Sequence, residues 1–452
     1  MHKSLRSTWP LVLAVVLCEL AALALAAFIE DAAAQSPPPP DPAIKFFAVK
    51  LPDNTLSYPG SSLPDLSDEH TTIIPTGDGS YLFFSASSLA SDRIAGAVVL
   101  ETNDLVNFQF ASDRGYADRV MGAPIRFETC DPTLASEFDL NYAAPGSVVQ
   151  DPTRPPGNMM MFYEAENHCP DGTDWQRPFY ATVGYARSFD FGKTWPAPIN
   201  AEFGGKHRHP VLKLATPEPT TFEPSPVYMG NAIPSAFVDC KEHGECFVYV
   251  TYVAPQQGAD GLLRVARARL GGDDHRSGDD DSKNDERHHG DEGHHRLKFE
   301  KWHNGAFSQP GIGGLDSGVL TTRGCPGVQN DPVISFNDDL GLYMLMYVCV
   351  DTQQVSGRTF QAGWYYSTAT SLEKQDWTQP RLILNSSAPL IEGCNKQDGS
   401  GREFDGWYPS FMSPGAAPGH LKLTGKVFFM GGCDTAGGRT FASRDFEIMQ
   451  GP

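Results

Sequence analysis

The sequence predicts an all-β fold: a five-bladed β-propeller built from four-stranded antiparallel blades. Three observations predict it. From Leu66 onward, short apolar runs alternate with Gly, Pro, Asp and Asn, and no amphipathic helix of normal length appears. A two-strand element recurs five times. The proline anchors of its last four copies, at 145, 234, 332 and 409, lie 89, 98 and 77 residues apart. The 98 falls to about 72 when a 26-residue insertion, 271–296, is set aside. Repeats of that length are the size of four-stranded blades arranged radially.

The first strand of each unit starts at a small residue or proline and ends in a polar turn. Its copies are 70–75, 145–151, 234–239, 332–337 and 409–414. A second, continuously apolar strand follows each one, at 81–84, 159–163, 246–250, 343–347 and 427–430. A continuous apolar run predicts a strand buried on both faces. Third strands are read at 98–108, 183–195, 364–377 and 441–446. In the third unit, 263–270 and 299–302 flank the insertion. A sixth unit within 200–230 is short of residues.

The insertion is rich in Asp, Gly and His, with His275, His288, His289, His294 and His295. Such a tract reads as metal-binding by composition. A solvated loop between two outer strands is the better expectation, because this composition cannot fix ligand geometry.

The N-terminus has a basic start (Lys3, Arg6), an apolar stretch at 11–28 and Ala32-Ala33-Ala34 before Gln35. This predicts a signal peptide over 1–34 and a secreted or periplasmic protein, with no membrane attachment after cleavage. Leu17 before Cys18 does not suit a lipidation site. A Pro-rich linker and lead-in is expected over 35–65, and the propeller over 66–452. A formal charge of −20 argues against a nucleic-acid surface.

Eight cysteines remain after Cys18, an even number that suits disulfides in an exported chain. Cys130 and Cys169 lie 15 before and 24 after Pro145, and Cys394 and Cys433 repeat those offsets around Pro409. Cys325 and Cys349 form a contracted version around Pro332, and Cys240 and Cys246 bracket a hairpin. The predicted pairs are therefore 130–169, 240–246, 325–349 and 394–433. Three of them brace one face of the propeller.

Residues Ser188-Phe189-Asp190-Phe191-Gly192-Lys193-Thr194-Trp195 fit S-x-D-x-G-x-T-W. The stretch resembles the Asp-box of sialidase-like propellers, a hairpin between outer strands. Asp190 folds onto backbone N–H groups, Gly192 takes a positive φ and Trp195 covers the turn. That role is structural and lies far from the axis. A sialidase would pair a tyrosine with a glutamate, but the adjacent Tyr163 and Glu164 point to opposite faces of a strand.

The five repeats, the Asn-Asp-Pro and Tyr-Pro-Ser strand starts and the Trp-bearing hairpin resemble five-bladed glycosidases of the arabinanase, xylosidase and invertase type. The resemblance spans about 66–452. It implies carboxylates at the inner-strand starts: a base or nucleophile, an acid, and a third group tuning the acid. The matching candidates are Glu69, Asp331 and Glu403, with Asp68, Glu164 and Asp405 in reserve and Glu166 nearby. His70, Asn330, Asp405, Trp407 and Tyr408 are the candidate substrate-binding residues, the two aromatics as a sugar-stacking platform. Two strand starts depart from the pattern. Ala144-Pro145-Gly146 has no acid, and Ile233-Pro234-Ser235 stands where the family places its acid glutamate, with Asn231 and Glu223 as the nearest polar residues.

Three readings follow. One is a secreted glycoside hydrolase-like enzyme acting on a glycan. Another is a non-catalytic propeller binding carbohydrate or a protein partner. The third is a scaffold in which Asp331 and axial carbonyls hold calcium. No nucleotide loop, zincin motif or nucleophile elbow appears.

Overall fold

The computed structural model describes residues 44–451 apart from 51–53, 57–67, 89–92, 112–119, 170–171, 176–178, 197–207, 215–227, 242, 255–262, 272–296, 320–328, 356–357, 386–403, 405 and 433–438. Five antiparallel blades are present. Blade 1 comprises Thr72–Pro75, Tyr81–Ser88, Ala95–Thr102 and Gln109–Phe110. Blade 2 comprises Tyr142–Gln150, Met159–Asn167, Phe179–Ser188 and His209–Leu212. Blade 3 runs Ala232–Cys240, Cys246–Val253, Leu263–Leu270 and Phe299–His303, with Ala306–Pro310 added outside. Blade 4 runs Gln329–Asn337, Leu342–Cys349, Gly363–Ala369 and Arg381–Asn385.

Blade 5 takes three strands from the C-terminus, Gly406–Met412, Thr424–Gly432 and Arg439–Gln450. Its fourth strand comes from the N-terminal lead-in, Ile44–Val49. Ile44 pairs with Gln450 and Val49 with Phe446, so the two ends of the propeller close the ring together. The described residues of 200–230 form no separate blade. His209–Leu212 and Tyr228–Gly230 both join the third strand of blade 2.

Alternation along the second strands explains the core. Leu82 and Phe84 pack towards blade 2, whereas Phe83 packs with Phe428 and Phe441 of blade 5. Met159 and Met161 face blade 1, whereas Met160 and Phe162 join Val248 and Val250 of blade 3. Leu345 and Tyr347 meet blade 3, and Met344 and Met346 meet Val427 and Phe429 of blade 5. The apolar runs are therefore continuous because each second strand is buried between two neighbours. Hydrophobic clusters fill each of the five blade junctions, two of them between blades 1 and 2.

The hairpin after blade 2's third strand has the expected turn chemistry. Asp190 Oδ1 accepts the Lys193 and Thr194 N–H groups at 3.0 and 2.9 Å, and Trp195 Nε1 donates to Gly192 O. Gly192 has φ +75°. Trp195 packs edge-on against Phe84, joining the core between blades 1 and 2.

Disulfides 130–169 and 240–246 are present. Cys325, Cys394 and Cys433 lie outside the described residues, and with them the other two predicted pairs. The strands flanking the insertion pair directly, Ala266 with Lys301 and Ala268 with Phe299. Residues 272–296 between them lie outside the described residues.

Phe47 tests the ring closure. It is buried against Tyr366, Phe411 and Phe446. Phe47→Ala is expected to lower unfolding free energy by about 3–5 kcal/mol, read by urea denaturation. A midpoint equal to wild type would show that the N-terminal strand does not close the ring.

Candidate active site

The inner strands are bulged at equivalent places. Their pairing registers shift at Pro145/Ser147, Ala232/Ser235, Asn330/Val333 and Trp407/Ser410. At three of these bulges the residue before proline has a positive φ: Ile233 at +53°, Asp331 at +52° and Tyr408 at +52°. A residue before proline is normally extended, and a β-branched residue at positive φ is an outlier. Bulges of this kind re-aim side chains and end pairing near functional sites. In blade 2, Gly146 serves a different need. A Cβ there would lie 2.0 Å from the Pro234 carbonyl, so only glycine lets the inner strands of blades 2 and 3 come this close.

Around these bulges a set of carboxyl groups converges. Glu69 precedes the first strand of blade 1 and is 1% exposed; Asp331, at the blade 4 bulge, is fully buried. Glu164 and Glu166 come from the second strand of blade 2 and are also buried. Glu164 Oε2 accepts the Ile233 N–H at 2.6 Å, and Asp331 Oδ2 accepts the Tyr408 N–H at 2.9 Å. Glu69, Glu164 and Glu166 also act on one another: the charge of Glu164 raises the pKa of Glu69, and the charge of Glu166 raises that of Glu164.

Burial first, then the charge of Glu164, holds Glu69 well above the usual carboxylate range, with Asp331 and Asp68 adding to the rise. Burial likewise pushes Glu164 up to about 8. These groups titrate as a unit rather than one by one.

The chain of contacts continues along blade 2. Glu164 and Glu166 lie on one face of the strand; His168 follows the strand's end, and its Nε2 lies 2.6 Å from Glu166 Oε2. The His168 ring stacks on Trp175 at 3.8 Å and 4°, with Phe127 and Phe179 beside it. Its backbone N–H donates to Asn141 Oδ1, and the adjacent Cys169 is bonded to Cys130. The disulfide therefore anchors the end of this chain.

His70 sits next to Glu69 but belongs to a different environment. Burial drives its pKa down to about 3, so it stays neutral, with the carbonyls of Pro409, Pro332 and Tyr408 near its ring. Neither ring nitrogen reaches hydrogen-bond geometry. His70 lines a cavity of about 1040 Å³ that follows the inner strands past Ser147 and Ser235 to Asp239 and His420.

Several candidates from the sequence thus come together: Glu69, Asp331, His70, Tyr408 and, from the reserves, Glu164 and Asp68. The Asp68 carbonyl accepts the Tyr142 hydroxyl at 2.8 Å. Trp407 is half-buried and packs on the core between blades 4 and 5, 6.2 Å from the Tyr408 ring. Asn330 pairs with Val348 through its backbone. Glu403, Asp405 and Glu223 lie outside the described residues. Asn231 is buried, with no hydrogen-bond partner for either amide atom among the described residues.

Tyr163 and Glu164 do point apart. The Tyr163 hydroxyl donates to Asp139 Oδ2 at 3.1 Å, beneath Arg208, on the blade 1 side. Sequence reasoning missed His168, Trp175 and Tyr142, although the spacing Glu164-x-Glu166-x-His168 was a usable signal. Among the described residues no set of three or more His, Cys, Asp or Glu side chains is arranged to hold a metal ion. Asp331, the residue of the calcium alternative, accepts the Tyr408 backbone N–H through Oδ2.

Two buried groups make opposite demands on stability. The folded pKa of His70, about 3, lies below its ordinary 6.5. Its contribution is complete above about pH 6.5 and is lost as pH falls towards 3, on the order of 4–5 kcal/mol. The folded pKa of Glu164, about 8, lies above its ordinary 4.5. Its contribution is complete below about pH 4.5 and is lost as pH rises to about 8. Urea unfolding across this range is expected to show His70→Gln flattening the acid limb and Glu164→Gln the neutral-to-alkaline one. Unchanged slopes in both variants would refute these assignments.

No family model and no curated protein sequence matches the chain. Solved structures do match. A family-62 α-L-arabinofuranosidase catalytic domain from Coprinopsis cinerea aligns at 12% identity and TM-score 0.43, covering 89% of this chain and 97% of that one. An α-L-arabinofuranosidase from Podospora anserina, solved with cellotriose, aligns at 12% identity and TM-score 0.44, with the same coverage. A thermostable family-43 glycoside hydrolase aligns at 12% identity and TM-score 0.40, covering 92% and 96%. Likeness at this level carries no argument about chemistry, which rests on this chain's own residues.

Proposed function

We propose that the protein is a glycoside hydrolase-like enzyme acting on a glycan at the propeller axis. The observation that supports it is the convergence of Glu69, Glu164 and Asp331 from three blades, with burial raising the pKa of the first two. A carboxyl kept protonated near neutral pH is the acid that a glycosidic oxygen needs when it leaves, and a neighbouring carboxylate is the base or nucleophile.

In this reading the Glu69–Glu164 pair gives its proton to the leaving oxygen as the C–O bond breaks. Asp331 activates water or attacks the anomeric carbon. Glu164 supplies, from the second strand of blade 2, the carboxyl that the start of blade 3 lacks, and its bond to the Ile233 N–H holds it there. Tyr408 and Trp407, next to Asp331 in the fold, offer aromatic surface to a sugar ring. The two disulfides and the basic-then-apolar N-terminus support export through a signal peptide at 1–34.

Wild-type protein is expected to hydrolyse at least one of a panel of 4-nitrophenyl glycosides and soluble glycans. Asp331→Asn and Glu69→Gln should lower kcat by about 10²- to 10⁴-fold, with the unfolding midpoint of Asp331→Asn close to wild type because its amide oxygen still accepts the Tyr408 N–H. Wild-type turnover by Asp331→Asn would sink the assignment. Glycan binding by calorimetry with no turnover of any probe would establish the non-catalytic carbohydrate-binding alternative.

A further inference from the structure

The inner strands begin at the carboxyl cluster and end at the opposite face of the propeller, and the axial cavity follows them there. It holds about 1040 Å³ and is lined by all five inner strands, yet none of Glu69, Glu164, Glu166 and Asp331 lines it. His70, Ser147 and Ser235, near the strand starts, are buried, whereas Gln150, Lys241 and Glu373 at the far end are exposed. The cavity therefore opens on the face away from the carboxyls. A cleft of this size, with a few polar groups converging on it, is of the kind that holds an organic ligand.

We propose that this mouth is a second ligand site and that it binds a neutral glycan. It stands independently of the hydrolase reading, since it shares no carboxyl with it.

One wall of the mouth is aromatic. Phe336 lies at the end of blade 4's first strand and Tyr343 at the start of its second; His420, from blade 5, pairs alongside Phe336. The Phe336 ring centroid is 5.0 Å from that of Tyr343 and 5.7 Å from that of His420. All three rings are partly exposed, so they offer apolar surface to a sugar ring. The buried Phe237 of blade 3 packs against Tyr343 and His420. Hydrogen bonds hold this wall in place before any ligand arrives. The Phe336 N–H donates to Gly419 O at 3.1 Å, and the Tyr343 hydroxyl donates to Asp239 Oδ1 at 2.8 Å. The Cys240–Cys246 disulfide closes the hairpin that carries Lys241. A site ordered in advance loses less freedom on binding.

The polar groups suit hydroxyls. Asp239 on blade 3 and Gln150 on blade 2 both line the mouth. Together they offer acceptors and an amide donor. At the inner end His70 is 3% exposed, and its ring nitrogens have no hydrogen-bond partner among the described residues. A neutral imidazole there has one donor and one acceptor for a ligand hydroxyl or a bridging water.

Charge disfavours other ligand classes. Lys241 is the one Lys or Arg in the lining, and Glu373 holds its ammonium at 2.9 Å. His420 Nδ1 lies 2.7 Å from Asp338 Oδ1. A phosphate or carboxylate would therefore meet cations already paired, and Asp239 would repel it. An organic cation is best held over the faces of rings that surround it, whereas these rings sit side by side in one wall.

NMR of protein labelled in its tyrosine rings tests the site directly. The Tyr343 resonance is assigned by its absence from Tyr343→Phe. Neutral xylo-, cello-, manno- and arabino-oligosaccharides are titrated in, with inorganic phosphate and tetramethylammonium chloride as controls. At least one oligosaccharide is expected to shift the Tyr343 signal saturably. Asp239→Ala should weaken that binding about tenfold, the worth of one hydrogen bond to a charged group. Gln150→Trp, at an exposed strand end, should abolish it by filling the mouth, and Asp331→Asn should leave it unchanged. No shift with any oligosaccharide overturns the site. A shift with phosphate or tetramethylammonium in their place overturns the ligand class. A shift that survives Gln150→Trp, or is lost in Asp331→Asn, puts the glycan elsewhere and also overturns the proposal. Turnover of the 4-nitrophenyl panel is read separately. If no probe is turned over while the Tyr343 signal shifts, only the hydrolase reading fails; if probes are turned over and the signal stays put, only this site falls.

Discussion

Each blade of this propeller is tied to the next by a side chain near the axis that accepts the neighbour's backbone N–H. The inner strands are edge strands, and their inward-facing backbone groups are buried without a ladder partner. Leaving such a donor unpaired costs about 1–3 kcal/mol. Thr72 accepts from Val148, Ser147 from Ala236, Ser235 from Ile334 and Ser410 from Thr71. At the fourth junction the acceptor is Asp331, which takes the Tyr408 N–H. The ring is thus closed by four hydroxyls and one carboxylate. Glu164 adds a second link between blades 2 and 3. Two of the site's carboxyls are therefore also structural ties, and site geometry cannot drift without loosening a blade junction.

The same constraint accounts for the strained backbone. Ile233, Asp331 and Tyr408 all precede proline and all have φ near +50°. Each such residue costs on the order of 1–3 kcal/mol. The apolar clusters between blades hold the second strands firmly, so the first strand must bulge to bring its start to the axis. At blades 4 and 5 the two bulges meet: the Asp331 side chain reaches the Tyr408 N–H that the second bulge frees from the ladder. Strain in one blade is thus compensated by a hydrogen bond from its neighbour.

Much of this was legible in the sequence. Paired apolar runs after each strand start counted the blades, because burial between two neighbours leaves no room for polar alternation. Cysteine offsets located the 130–169 bridge for the same reason, as equivalent loops sit on one face. The closing strand was not legible. Residues 44–49 follow a Pro-rich stretch, and their partner lies at the opposite end of the chain, so nothing local marks the pairing. The site was half legible. Glu69 and Asp331 stood out because they occupy repeat-equivalent positions. Glu164 was only a reserve and His168 was absent, since their importance arises where the second strand of one blade meets the start of the next. A repeat alignment aligns strands with one another and does not show which of them touch.

The electrostatics limit what the axis can accept. Asp68, Glu69, Glu164, Glu166 and Asp331 would repel one another strongly if all were ionised in a buried setting. The fold lowers that cost by raising the pKa of Glu69 and Glu164 through burial, by giving Asp331 and Glu164 backbone donors, and by setting one histidine against Glu166. Every device here neutralises negative charge. A phosphate or carboxylate ligand would add charge to a cluster already arranged to shed it. A neutral ligand rich in hydroxyl groups adds none, and can donate to the carboxylate oxygens that remain. Under the proposed function, the burial that raises these carboxyls' pKa values would also favour an uncharged, hydroxyl-bearing substrate.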